Sequence, residues 1–170
     1  QWYFFSLPFD LYADDIENFT FKDDTETDNG NYFYLQTYDG HKRANGQPGW
    51  KVVSASQTTD QPIIHKHQGY LIALDAAAST TTMRFHCPSE QIPDEFGKNG
   101  SIFLSVSIGG NEGNNGWVLC GNPLPAPLPL RNIEGTDVLD GYIYLYQNGA
   151  YQAYALDSDY AIAPYTAFFV

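Results

Sequence analysis

The chain has 170 residues, of which 43% are hydrophobic and only 16% charged, enough apolar surface for one packed domain, or two small halves on a shared core, and too much for global disorder. The 8 Lys and Arg against 20 Asp and Glu leave a formal charge of -12, which repels phosphate backbones and anionic membrane surfaces, so nucleic acid is not an expected partner. Apolar stretches such as Gly69–Leu74 and Ser101–Ile108 stop at strand length, well short of the roughly 18 residues of a membrane span.

In chain order the expected elements are strands almost throughout. Trp2–Leu7 opens the series, followed by one helical turn within Ala13–Asn18, where Asp14 and Asp15 are suited to a cap,. Tyr32–Tyr38, Trp50–Ala55, Gly69–Leu74, Thr82–Cys87, Ile102–Ile108 and Trp117–Cys120 are rich in Tyr, Phe, Val and Ile at strand length,. Pro-rich Asn122–Leu130 cannot donate a regular ladder and is expected to run extended over the surface,. Tyr142–Tyr146, Tyr151–Leu156 and Ala167–Val170 complete the set. Asp39-Gly40 and Asn148-Gly149 read as hairpin tips, and Asn45-Gly46 and Pro48-Gly49 as further turns,. Strands this frequent predict an all-β fold, an antiparallel, jelly-roll-like β-sandwich over residues 1–170. Gln1 followed at once by an apolar strand, and the apolar end Phe168-Phe169-Val170, read as a piece of a longer polypeptide.

The chain also repeats itself. Trp2-Tyr-Phe-Phe-Ser-Leu-Pro8 aligns with Trp117-Val-Leu-Cys-Gly-Asn-Pro123 at an offset of 115. Tyr34–Gly40 aligns with Ile143–Gly149 at 109, and Ile64–Ile72 with Ile162–Val170 at 98. The expectation is two related halves, 1–75 and 116–170, with bridging strands in 76–115. Trp2 and Trp117 are then paired core residues, each costing about 3 to 5 kcal/mol on truncation to Ala.

Gly116-Trp117-Val-Leu-Cys-Gly121-Asn122-Pro123, with Tyr142–Gly149 and Ile162-Ala-Pro164 before Phe168-Phe169-Val170, resembles the Gly-Trp-x-Leu-x-Gly-Asn-Pro β-rich module of secreted and surface-exposed Bacteroidetes proteins. Ser6-Leu7-Pro8-Phe9-Asp10 resembles the Leu-Pro-Phe-Asp strand of the related module, often appended to leucine-rich-repeat proteins. The resemblance implies an extracytoplasmic β-sandwich within a larger surface protein and carries no catalytic set. Ala167 stands where that family usually has Gly before its closing aromatic residue.

Signatures of hydrolase, nucleotide or zinc-protease chemistry are missing, and a strand-rich chain offers them no host element. The reading is therefore non-enzymatic: a module for adhesion, spacing or ligand presentation, with a glycan or surface protein as partner. Its alternative is a carbohydrate-binding module, in which Trp50 and Tyr38 offer ring faces to sugar CH groups and Asp39, Asn45 and Gln47 supply hydrogen bonds,. Asp24, Glu26 and Asp28 stand at alternate positions and have the chemistry of an oxygen-ligand calcium loop, although the glycine falls late and Leu35 occupies the place of the bidentate Glu,. A solvated acidic turn, with no cofactor, is the expectation there. His65 and His67 would share one face of a strand and could hold a metal, with His41 and His86 as further donors; a solvent-facing pair is the simpler reading,. Cys87 and Cys120 either form a disulfide or are two buried thiols,.

Overall fold

A computed structural model describes residues 1–22, 30–54, 60–87, 116–134 and 139–170. The fold is mostly β, in antiparallel sheets. The first half of the chain contributes β1 (Trp2–Phe5), β2 (Thr20–Phe21), β3 (Tyr32–Tyr38), the short helix α1 (Gly40–Ala44), β4 (Trp50–Val52) and β5 (Tyr70–Leu74). The second contributes β6 (Leu119–Gly121), β7 (Leu128–Pro129), β8 (Tyr142–Gln147), β9 (Ala150–Ala155), β10 (Ala161–Ile162) and β11 (Ala167–Phe169). A 5-stranded sheet runs β1-β5-β3-β2, with β4 also on β3, and a 4-stranded sheet runs β6-β11-β8-β9. In each, the first strand lies beside the last, and the last lies beside a central hairpin strand. β2 joins β3 in parallel, and β7 and β10 form a separate small ladder.

Strand alternation decides where each side chain goes. Phe5, Phe33, Leu35, Tyr70 and Ile72 face a first core, closed by Leu7, Leu11, Ile16 and Phe19 from the long connection after β1. Cys120, Ile143, Leu145 and Phe168 face a second core, closed by Leu130 and Ile162. Residues of opposite parity, Phe4, Tyr38 and Trp50 from one sheet and Leu119, Tyr144 and Phe169 from the other, meet in a third cluster between the sheets. Phe169 sits at its centre, 4.7 Å from the Tyr38 ring and 6.0 Å from the Phe4 ring.

The motif residues of the sequence take structural roles. Buried Asn122 donates from Nδ2 to the carbonyls of Ala126, Ile162 and Ala163, and its Oδ1 accepts from Leu124 N at 3.0 Å. Asp10 accepts from Lys66 N at 2.8 Å, holding the turn before β5. Asn148 and Gly149, at φ 52° and 81°, close the β8–β9 hairpin with Gln147 opposite Ala150, the two-residue tip that Asn-Gly favours.

Several expectations are corrected. Asp39-Gly40 is not a hairpin tip: Asp39 caps α1, its carboxylate accepting from Lys42 N at 3.0 Å. The helix ends in a Gly46 at φ 74°, with Gly46 N donating to Arg43 O and Gln47 N to Lys42 O, the arrangement in which a left-handed glycine satisfies the last carbonyls. Thr82–Cys87 is irregular, with only Phe85 bridging Ile16. The proline segment is not wholly superficial, since Pro123 and Leu130 are buried and Leu128–Pro129 pairs with β10 as an edge ladder, a position that Pro tolerates. The turn near Ala13 is a 3-10 turn over Ala13–Asp15 begun at Tyr12, whose N–H donates to Asp15 Oδ2. Trp2 is 36% exposed and is not a core residue, while Trp117 is half-buried and packs against the third cluster from its edge, so the two are not paired core residues. The strand expected at Ile102–Ile108, and most of the bridging region, lie outside the described residues.

Candidate functional site: an aromatic cleft

Where the two larger sheets meet, their rings leave a cleft of about 460 Å³, lined by Tyr38, Arg43, Pro48, Gly49, Trp50, Trp117, Tyr144, Tyr151 and Phe169. Tyr38 and Trp50 are cross-strand partners on β3 and β4, their rings 5.1 Å apart at 77°. Gly49 makes room for this: a Cβ there would come within 2.6 Å of Tyr38 Cε2. Trp117 approaches from the other sheet, 5.0 Å from the Tyr144 ring at 54° and 6.0 Å from Phe169 at 80°. Gly40 admits Trp117, whose carbonyl oxygen occupies the place a Cβ on Gly40 would need.

The ring geometry bears on what the cleft can bind. Trp50 meets Tyr38, Phe4 and Phe169 at 77°, 54° and 75°. Neither indole in the cleft is stacked parallel on another described ring, whereas Tyr154 and Tyr160 elsewhere are, at 3.8 Å and 24°. Edge contacts of this kind are favourable in themselves and do not use the indole faces as a stacked pair would.

The cleft hydroxyls hold their protons. Burial pushes Tyr38 above the ordinary tyrosine value, and Arg43 nearby pulls it back. Tyr144, donating to Asp140 Oδ2 at 2.6 Å, is pushed up to about 12, chiefly by that bond. Tyr151 is raised by burial and by Tyr38 and Tyr146. At neutral pH these groups are donors and acceptors, not bases.

Of the residues the sequence singled out, the structure brings Trp50 and Tyr38 into the cleft. Asp39 is occupied in capping α1, while Asn45 and Gln47 are exposed residues of the helix terminus, Asn45 Nδ2 donating to His41 O at 2.9 Å. None of these polar residues lines the cleft. Arg43, Trp117, Tyr144, Tyr151 and Phe169 were missed. Asp39 followed by Gly46 was the available signal for α1, and hence for Arg43, because cap and left-handed glycine at that spacing bracket one helical turn.

The metal candidates fare differently. His67 has φ 68°, so strand alternation does not place it beside His65, and exposed His65 lies 4.0 Å from Asp10. His86 contacts Glu17 at 2.6 Å. Among the described residues no cluster of three or more His, Cys, Asp or Glu could hold a metal. Asp24, Glu26 and Asp28 lie outside the described residues. No disulfide joins the cysteines: Cys87 is exposed and outside any strand, correcting the paired buried thiols, while Cys120 is buried, which raises its thiol pKa.

A second cavity, about 540 Å³, includes Thr37, Lys51, His65, Gln68 and Tyr70. Its Tyr70 hydroxyl accepts from His65 N and donates to Gln68 Oε1, both at 2.9 Å.

Comparison with family models, with curated proteins and with solved structures found no match to this chain.

Proposed function

We propose that the chain is a non-enzymatic module of a bacterial cell-surface or secreted protein, a β-sandwich of two related halves that presents the aromatic cleft to a carbohydrate ligand. The cleft carries this reading. Among the described residues its indole faces are unstacked, its hydroxyls are neutral and its lining offers recognition chemistry, with no paired carboxylates for acid–base work,. The placement outside the cytoplasm rests on the resemblance of Gly116–Pro123 and Ser6–Asp10 to surface modules.

The two-half architecture is supported by register. Phe4 lies opposite Leu71 and Leu119 opposite Phe169, which agrees with the offsets of 115 and 98 together. The left-handed residues His67 and Tyr165 are also 98 apart. The hairpin offset is better taken as 108 than 109, because Gln36 opposes Leu71 and Tyr144 opposes Phe169. The difference matters in a strand, where one residue exchanges faces: at 109, core-facing Leu35 would match seam-facing Tyr144. At 108, the cross-strand pair Tyr38–Trp50 matches Tyr146–Tyr151, whose rings are 5.2 Å apart.

A glycan array probed with the intact chain, in calcium and in chelator, tests the proposal. Binding to a defined glycan class supports it, and chelator sensitivity would add calcium to the account through Asp24, Glu26 and Asp28. Failure to bind any glycan in either buffer overturns the carbohydrate reading and leaves adhesion to a surface protein as the module's role.

A further inference from the structure

Among the described residues, Arg43 is the one charged residue that lines the cleft and no carboxylate lines it, although Asp140 accepts from the hydroxyl of the lining Tyr144 at 2.6 Å. That is unexpected for a chain with 20 acidic against 8 basic residues. Arg43 is placed there by construction: it lies in the last turn of α1, which the Asp39 cap and the Gly46 terminus hold at the end of β3. Among the described residues its guanidinium has no carboxylate partner, whereas Arg84 and Arg131 lie 3.8 Å from Glu17 and Asp159. The Tyr38 hydroxyl is close enough for Arg43 to act on it electrostatically. A ligand that fills this cleft therefore presents an apolar ring face to the indoles and an anion to the guanidinium fork.

We propose that the cleft selects acidic sugars, pyranosides bearing a carboxylate, with the ring lying on Trp50 or Trp117 and the carboxylate paired with Arg43. This rests on the carbohydrate reading above and adds the charge of the ligand to it. Guanidinium and carboxylate match as a bidentate pair, which gives direction as well as attraction. Neutral sugars lack the group that Arg43 would pair with. The chain's overall charge of -12 opposes anionic ligands at long range, so binding weakens less with added salt than a lone arginine–carboxylate contact would, because salt screens the distant repulsion as well as the local attraction.

The test is a titration of the intact chain with methyl β-glucuronide and methyl β-glucoside, which differ only in carrying a carboxylate or a hydroxymethyl group, read by tryptophan fluorescence. The expected result is roughly tenfold or greater preference for the glucuronide, as a charge-assisted bond supplies, lost in Arg43→Gln and partly kept in Arg43→Lys. Arg43 is exposed, so these variants should fold, and unchanged far-UV dichroism would establish it. Equal affinity for both sugars, unaffected by Arg43→Gln, overturns the charge selection and leaves the carbohydrate reading standing. No response to either sugar, in a chain that also binds nothing on the glycan array, overturns both.

Discussion

Gly121 lies directly against Ser6, so close that a Cβ on Gly121 would overlap both the Cβ and the Oγ of the serine. The two residues are 115 apart, the offset that relates Trp2 to Trp117. Gly69 and Ala167, 98 apart, repeat the relationship: a Cβ on Gly69 would lie 3.0 Å from the Ala167 Cβ. Positions that match in sequence and touch in space are what the proposed pair of related halves would produce about a local twofold axis. Ser6 N donates to Tyr165 O at 2.9 Å and Gly69 N to Leu119 O at 3.2 Å, each linking the N-terminal segment of the chain to the C-terminal one.

The contact is testable by coupling. Gly121→Ala should destabilise the fold by about 1 to 3 kcal/mol through overpacking. Ser6→Gly in the same chain should recover a large part of that loss, giving a coupling of at least about 0.5 kcal/mol in a double-mutant cycle on urea unfolding. Additive effects would place the two residues out of contact.

Ser6 Oγ is also buried, with no hydrogen-bond partner among the described residues. Leaving a hydroxyl unsatisfied costs about 1 to 3 kcal/mol, so Ser6→Ala should stabilise the chain and raise Tm. A lower Tm would mean that the hydroxyl has a partner in solution.

Asn122 is the polar counterweight, with its amide satisfied by the carbonyls of Ala126 in the proline segment and of Ile162 and Ala163 at the end of β10. Asn122→Ala leaves the buried Ile162 carbonyl without this donor and Leu124 N without its acceptor, and should cost about 1 to 3 kcal/mol,. Denaturant unfolding monitored by far-UV dichroism checks it, and a loss below about 1 kcal/mol would make the amide dispensable.

The Tyr70 hydroxyl is pushed up to about 12, chiefly by burial. Since the folded value lies above the unfolded value of about 10, this stabilisation is complete below pH 10 and is lost as pH rises through 12, by roughly 2 to 3 kcal/mol. Stability measured from pH 9 to 12 should fall on this limb. In Tyr70→Phe the fall should be shallower, although the baseline is lower because His65 N loses its acceptor.

The sequence disclosed more of the fold than of the site. Strand-length runs rich in Tyr, Phe, Val and Ile, with the Asn148-Gly149 tip, located most of the described strands, because pleated, half-buried segments favour these residues and the hairpin tip takes positive φ,. On the proposed two-half reading the hairpin alignment is one residue out of register, because Tyr34, Tyr144 and their neighbours alternate among aromatic and aliphatic residues of similar hydropathy, so the face could not be read from type alone. Trp117 was expected in a core from its match to Trp2 in the repeat, yet Gly40 and Tyr144 hold it at the cleft. That depends on a contact between distant segments, which no local pattern encodes. Arg43 was passed over because a five-residue helix (α1) gives too short a window for periodicity, leaving its caps as the local signal.

The central claim is that the cleft between the sheets is the ligand site, and the most direct measurement is a two-dimensional NMR titration following the indole N–H resonances of Trp2, Trp50 and Trp117 while an array-positive glycan is added. The account predicts saturable shifts at Trp50 and Trp117, which line the cleft, with Trp2, which does not line it, unmoved. Shifts confined to Trp2, or saturation with both cleft indoles stationary, would contradict it.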